Sequence, residues 1–490
     1  MNYPMIISTL GHVLQIEGAF MLLPAFIGLL YQEDNGIIFA ILGICTFLLG
    51  TLFSMKKPKS ATIHLKEGCV ITAFSWIVMS LVGALPFYIS GEIPGLLDAF
   101  FETVSGFTTT GASIMPNVEI LSHASQFWRC FTHWLGGMGV LVFLLAVIPM
   151  SGGSNINLMR AESPGPSVGK LVPKMRQTAR LLYLIYFTLT AMETLLLVLG
   201  KMSLFNSICS SFATAGTGGF GVKNDSMVSQ SAYIQWVVTI FMILFGINFN
   251  FYFYLLYRHI KKAFRMSEVR VYLLIILASI AIITTNILYQ VGSFWAALRH
   301  SSFQVASIIT TTGFASMNFD LWPETSKAIL VTLMFIGACA GSTGGGIKVS
   351  RFIILIKSLG RELKSYVYPK SVSKISIDGN PVEHEVTRSV NVYIITFLIL
   401  FTASFLLVSI DNKGLITSFT AVAATINNIG PGLELVGSTQ NYSHFSDLSK
   451  VVLIFDMLAG RLELFPLLIL FHPKLYFRKP LIAKNVHMDK

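Results

Sequence analysis

Hydrophobic positions along this chain fall into long unbroken runs. They show neither the alternation of strands nor the one-sided stripe of surface helices. Two runs come first, at about 6–31 and 36–55. A unit then recurs four times: a run long enough to cross a bilayer, a run of about half that length, a turn rich in Gly with Thr or Asn, and a second long run. The units lie at about 66–90, 95–107, 108–113 and 125–150; 178–200, 204–213, 214–221 and 233–257; 270–291, 294–309, 310–316 and 325–358; and 388–410, 415–426, 427–432 and 448–471. Only the last run of the third unit reads as interrupted. The pattern predicts an all-α polytopic membrane protein with four pseudo-symmetric helix–pore-loop–helix repeats around one pore. Two extra N-terminal helices bring the expected number of spanning helices to ten. The expected segments are 1–60 for the N-terminal pair, then 61–155, 156–262, 263–375 and 376–490 for the four repeats, the last with a C-terminal tail.

The turns carry the chemistry. They read Thr108-Thr109-Thr110-Gly111, Thr214-Ala215-Gly216-Thr217-Gly218-Gly219-Phe220, Thr310-Thr311-Thr312-Gly313-Phe314 and Asn427-Asn428-Ile429-Gly430. Half-length helices cannot cross a bilayer, and irregular backbone at membrane depth is tolerated only around protein or a water-filled cavity. The four turns are therefore expected to share one cavity. Gly111, Gly219, Gly313 and Gly430 free the backbone to turn. Carbonyls of Thr109, Thr110, Thr217, Thr311, Thr312, Asn428 and Ile429 can then replace the water shell of a monovalent cation. The half-helices enter from the outer face, so their negative C-terminal ends favour a cation at the turns.

Composition supports a membrane protein: 53% of the 490 residues are hydrophobic and 12% charged, against about 25% charged in soluble domains. The first run is too long for a cleaved signal and reads as a spanning helix. The formal charge of +11 does not indicate a nucleic-acid partner. Most Lys and Arg residues fall in segments 56–66, 160–180, 258–270, 348–388 and 474–490, and most acidic residues of short connections lie on the other side. This is the positive-inside bias, and it places both termini in the cytoplasm. The basic stretch from Lys357 to Arg388 is a candidate contact for anionic lipid or a cytosolic regulator. The five cysteines form no Cys-x-x-Cys pair and predict neither disulfides nor zinc. No phosphate-binding loop or dinucleotide fingerprint appears, and no cluster of His, Asp and Glu suggests an enzyme, so no organic cofactor is expected.

Other intramembrane polar residues are candidates for function or packing. The Gly-rich interruption from Gly337 to Gly346 reads as an unwound loop below the turns, able to occlude a pore. A basic residue within an apolar run is costly, so Arg461 is expected to face protein or a water path, with Asp456, Glu463 and Glu193 as candidate partners. Glu193 itself is a candidate coupling site for protons or sodium. It would serve the alternative function, a proton- or sodium-coupled transporter of another solute. Asn248 and Asn250 are expected to bond across helices, and His133 to pack.

Taken together, Phe101 to Ala112, Gly218-Gly219-Phe220, Thr310 to Phe314, Asn427 to Gly432, Gly341 to Lys348 and Gly460-Arg461-Leu462-Glu463 resemble the Trk/Ktr/HKT superfamily of potassium transporters, most closely its TrkH/TrkG-type membrane subunits. The resemblance spans nearly the whole chain. It implies potassium uptake across a bacterial inner membrane, with one selectivity glycine per turn. Relatives that admit sodium carry serine at the first such position, so Gly111 implies potassium selectivity. In the second turn Gly216 competes with Gly219; the family pattern, with glycine directly before phenylalanine, selects Gly219 and brings Gly218 into the filter. It further implies a gate of Gly341, Gly344, Gly345, Gly346, Lys348 and Arg461. The implied partners are potassium, the bilayer, a cytosolic nucleotide-binding TrkA-type subunit and a second copy of the chain.

Overall fold

A computed structural model describes residues 1–55, 64–139, 175–369 and 374–473. The basic segments at 160–174 and 474–490, most of 56–66, and the expected helix beyond residue 139 of the first unit lie outside the described residues.

Two helices, α1 (Tyr3–Leu30) and α2 (Asn35–Ser54), open the fold as an antiparallel pair. Glycines set their closeness: a Cβ on Gly18 would stand 2.6 Å from the Gly43 carbonyl oxygen, and one on Gly11 2.7 Å from that of Gly50. Small residues let membrane helices approach in this way.

The long helices α3 (Leu65–Ile89), α6 (Met175–Leu199), α11 (Ser267–Val291) and α15 (His384–Val408) are each followed by a short one: α4 (Leu96–Phe107), α7 (Leu204–Ala215), α12 (Phe294–Ile309) and α16 (Leu415–Ile426). Twelve residues of helix rise about 18 Å, short of the roughly 30 Å of hydrocarbon. The short helices are sheathed by the long ones. Leu274, Leu277, Ile395 and Leu398 on α11 and α15 are exposed, whereas Ser207, Ser211, Ser307, Thr420 and Thr425 on the short helices are buried. Apolar side chains face out and hydroxyls face in, as expected for a protein whose solvent is lipid. Among the described residues six helices are long and apolar enough to cross a membrane, or seven if one bent pair counts as a span.

The second helix of each unit departs from the expectation of a single interruption. In the third unit α13 (Glu324–Ile336) does end at Gly337, and α14 (Val349–Val367) resumes after the Gly-rich loop. In the second unit α8 (Ala232–Phe245) bends by 90° into α9 (Phe249–Leu256), which a short α10 (Ile260–Phe264) follows. In the fourth, α17 (Asp447–Arg461) breaks before α18 (Phe465–Leu468), with Glu463 and Leu464 at φ 59° and 67°. In the first, α5 (His123–Met138) ends at Gly139. In the second and fourth units the apolar run resumes after the break, which hid it. At the second-unit break Asn248 caps α9, and the freed Phe249 N–H donates to the Gly341 carbonyl (2.9 Å).

Among the described residues, the connector from Lys357 to Arg388 contains one exception to all-α structure. Ser376–Ile377 (β1) pairs antiparallel with Asn380–Pro381 (β2) across Asp378-Gly379, both at positive φ, the dihedral sign of a tight hairpin turn. The Asp378 carboxylate accepts the Ser267 N–H at 2.7 Å and so fastens the hairpin to the start of α11.

Candidate functional site

Each short helix ends in the same way. The N–H groups of Thr109, Thr217, Thr311 and Asn428 donate to the carbonyls of Gly106, Thr214, Ile308 and Thr425, and the next N–H groups reach back to Ser105, Ala213, Ser307 and Ala424 at 2.8–2.9 Å. This is a Schellman cap, whose left-handed position normally holds glycine. Here it holds Thr109 (φ 55°), Thr217 (55°), Thr311 (58°) and Asn428 (56°). A β-branched residue there is strained, by on the order of 1–3 kcal/mol, and such strain gathers at functional sites. Two residues on, Gly111, Gly219, Gly313 and Gly430 return to positive φ at 79°, 74°, 83° and 94°. Gly216, by contrast, ends α7 in the right-handed region and is not the counterpart of these four.

The four turns close into a ring. A Cβ on Gly111 would overlap the Gly218 carbonyl oxygen, one on Gly219 that of Thr312, and one on Gly313 that of Ile429; one on Gly430 would stand 2.7 Å from that of Thr110. Each glycine Cα thus abuts the carbonyl that precedes the glycine of the following turn, and the fourth turn returns to the first. All four glycines line one cavity of about 110 Å³, together with Ser113, Asn224 and Tyr442.

Side chains brace this ring. Thr108 and Thr110 share a hydroxyl–hydroxyl bond of 2.8 Å, as do Thr310 and Thr312. Asn428 donates from Nδ2 to Thr110 Oγ1 (3.0 Å) and to the Met457 carbonyl (2.9 Å). Glu102 accepts the Ile114 N–H (2.8 Å) and the Ser113 hydroxyl and pairs with Arg129; Arg129 also donates to the Gly221 carbonyl (3.0 Å) and lies over Phe220. First and second turns are joined there. His133 joins them again, donating from Nδ1 to the Gly106 carbonyl (2.8 Å) and accepting the Phe220 N–H on Nε2 (3.3 Å). At the outer rim Asp320 accepts the Glu434 N–H, joining third and fourth turns. Burial pushes the Asp320 carboxyl above its ordinary range, and that N–H partly offsets the push.

Sequence reading missed Glu102, Arg129 and Tyr442 as parts of the site and gave His133 only a packing role. Arg129 did carry a signal, a basic residue inside the apolar run of α5. The Glu102–Arg129 pair is buried, with side chains 1% and 4% exposed. Removing one partner of such a pair leaves an uncompensated charge at a cost of about 3–5 kcal/mol. Arg129→Met is expected to lower the thermal midpoint of the purified protein in detergent by several degrees, while Lys327→Met, at a partly exposed pair with Glu324, leaves it in place.

On the opposite side of the ring lies the loop from Gly337 to Lys348. Gly345 N–H donates to Thr311 Oγ1 (2.7 Å), and a Cβ on Gly344 would stand 2.9 Å from the Thr310 carbonyl. Lys348 turns back to donate to the Gly344 carbonyl. Gly341 sits apart from the turns, beside Asn248, and Gly346 packs on Gly337. Arg461 donates to the Thr343 carbonyl (2.9 Å) and to the Gly136 and Gly137 carbonyls at the end of α5, tying the loop to two other units. Glu463 pairs with Arg351, and Asp456 accepts the Ser404 hydroxyl. Glu268, in the first turn of α11, accepts Ala340 N–H (2.6 Å), Ser350 N–H (3.2 Å) and the Asn248 amide, holding both ends of the loop. Asn248 thus bonds across helices. Glu193 is buried on α6 beside Thr214.

A sheath of apolar helices around polar, re-entrant backbone defines a multi-pass membrane protein. The chain belongs to the TrkH family of cation transport proteins, whose family model matches residues 36–476. It is 35% identical to the Trk system potassium uptake protein TrkH of Salmonella typhimurium over 96% of this chain and 99% of that one, and 33% identical to the Trk system potassium uptake protein TrkG of Escherichia coli over 94% and 96%. The crystal structure of the potassium transporter TrkH from Vibrio parahaemolyticus superposes with a TM-score of 0.88 at 32% identity, covering 97% of this chain and all of that one. The family is one of transporters, not enzymes.

Proposed function

We propose that this chain is the ion-conducting subunit of a Trk-type potassium uptake system. The observation that carries the reading is the closed ring of four glycines lining one cavity. In this reading four pseudo-symmetric repeats, 61–155, 156–262, 263–375 and 376–490, surround one pore behind an N-terminal pair at 1–60, with ten spans and both termini in the cytoplasm of a bacterium, across its inner membrane. Carbonyls of Thr109, Thr110 and Gly111, of Thr217, Gly218 and Gly219, of Thr311, Thr312 and Gly313, and of Asn428, Ile429 and Gly430 replace the water around potassium. Helix C-terminal ends face the ion from all four sides. An inside-negative potential draws each charge inward with about 2.3 kcal/mol per 100 mV.

The loop at Gly341, Gly344, Gly345, Gly346 and Lys348 closes the path below the ring, and Arg461 holds it shut through the Thr343 carbonyl. A TrkA-type cytosolic subunit that binds nucleotide would release it, and two copies of the chain form the working assembly. Potassium uptake in the named relatives disfavours a coupled carrier of another solute. Proteoliposomes containing this chain alone test the reading: an inside-negative potential should drive rubidium or potassium uptake well above sodium uptake, and equal or absent uptake of all three would overturn it. Arg461→Ala is expected to raise that uptake with the protein still monodisperse; aggregation instead would assign Arg461 a purely structural part.

A further inference from the structure

The four turns share one backbone but are not braced alike. In the first and third, threonines three and one residues before the glycine bond to each other within the turn. The second and fourth turns lack that pair. In the second, the same positions are Gly216 and Gly218, and a Cβ on either would run into His133. The imidazole stands where the second threonine of the pair sits elsewhere, at Gly218, while at Gly216 the obstacle is the His133 main-chain carbonyl. The imidazole bonds the backbone on both sides of the first–second joint. In the fourth, the positions are Asn427 and Ile429, and Ile429 has no hydroxyl to offer. The joint from the fourth turn to the first is also the least tight of the four by this measure: an added Cβ would stand 2.7 Å from the facing carbonyl oxygen there, and closer still at the other three. Tyr442 spans that joint. Its hydroxyl donates to the Gly430 carbonyl at 2.6 Å, and its backbone N–H donates to the Ser113 carbonyl of the first turn at 2.8 Å. Tyr442 is 2% exposed and its aromatic ring is held between Phe101 and Phe445, so the hydroxyl is delivered by a side chain with little freedom.

We infer that Tyr442, from outside the turn motif, is a positioning residue for ion selectivity: it fixes the Gly430 carbonyl and the width of the fourth–first joint, as His133 does for the second turn. This rests on the reading of the four turns as the selective part of a potassium path. A carbonyl filter discriminates ions through the fit and field of the oxygens around them, and a buried donor on one of those oxygens restrains its swing.

The test compares wild type, Tyr442→Phe, and a triple variant, Tyr442→Phe with Asn427→Thr and Ile429→Thr, which supplies the threonine pair of the first and third turns. Potassium-to-sodium permeability ratios are measured in proteoliposomes under bi-ionic conditions. Wild type that conducts without selectivity would overturn the proposed function itself. Given a selective wild type, Tyr442→Phe should lower the ratio about fivefold, the scale of one lost hydrogen bond, with conduction retained, and the triple variant should recover most of it. A folded Tyr442→Phe with the wild-type ratio overturns the inference. Should Tyr442→Phe not fold, the triple variant decides: folded and selective supports the inference, unfolded or unselective overturns it.

Discussion

Gly111→Ser is expected to reduce the preference for potassium over sodium by about tenfold or more, read as the permeability ratio in reconstituted vesicles. Two features of the turn demand glycine. The residue sits at φ 79°, and its Cα abuts the Gly218 carbonyl. A serine must therefore push the second turn away or rotate its own backbone. Overpacking of this kind costs about 1–3 kcal/mol, and about 1.4 kcal/mol is a tenfold change in an equilibrium. Part of that cost falls on carbonyl spacing, so the effect should show in selectivity before it shows in stability. Unchanged selectivity in a folded Gly111→Ser protein would remove Gly111 from the ion path.

Deleting residues 342–345 is expected to raise partner-free uptake at least about tenfold, the change for a barrier lowered by roughly 1.4 kcal/mol. The deletion removes the Gly345–Thr311 bond and the Thr343 carbonyl that Arg461 holds. It keeps Ala340 and Ser350, the two points fastened by Glu268, so the flanking helices retain their anchor. Tracer uptake by the purified deletion protein, alongside its elution profile, gives the result. A monodisperse protein with wild-type uptake would mean that the loop does not obstruct the path.

Much of this architecture is legible in the chain because bilayer thickness converts run length into a statement about crossing. Four half-length runs each ending in a Gly turn are hard to place anywhere but around a shared cavity, and the residues of all four turns are indeed brought into one ring. What the sequence hid is of two kinds. The breaks at Gly246 and after Arg461 lie inside longer apolar runs whose few polar residues do not by themselves mark a helix end, so the partners of the freed backbone groups, such as Gly341 for Phe249, reveal them. The braces are contacts across the fold: His133 with Phe220, Glu102 with Arg129, Asn428 with Thr110, pairs 87, 27 and 318 residues apart. Their trace in the sequence is indirect. The second turn trades two threonines for glycines, a change that makes sense only once His133 is known to lie beside it, its carbonyl facing Gly216 and its imidazole facing Gly218.

The mutual abutment of the four turns behaves like a stone arch without a keystone. Each member leans on the next, so no single one can be enlarged without shifting its neighbour, and the disturbance passes on around the circle. Side chains added at two of the glycines would therefore share one distortion rather than inflict two, and their combined penalty should fall short of the sum. Tuning such an aperture calls for coordinated change in several turns or for adjustment of the side chains that shore them up.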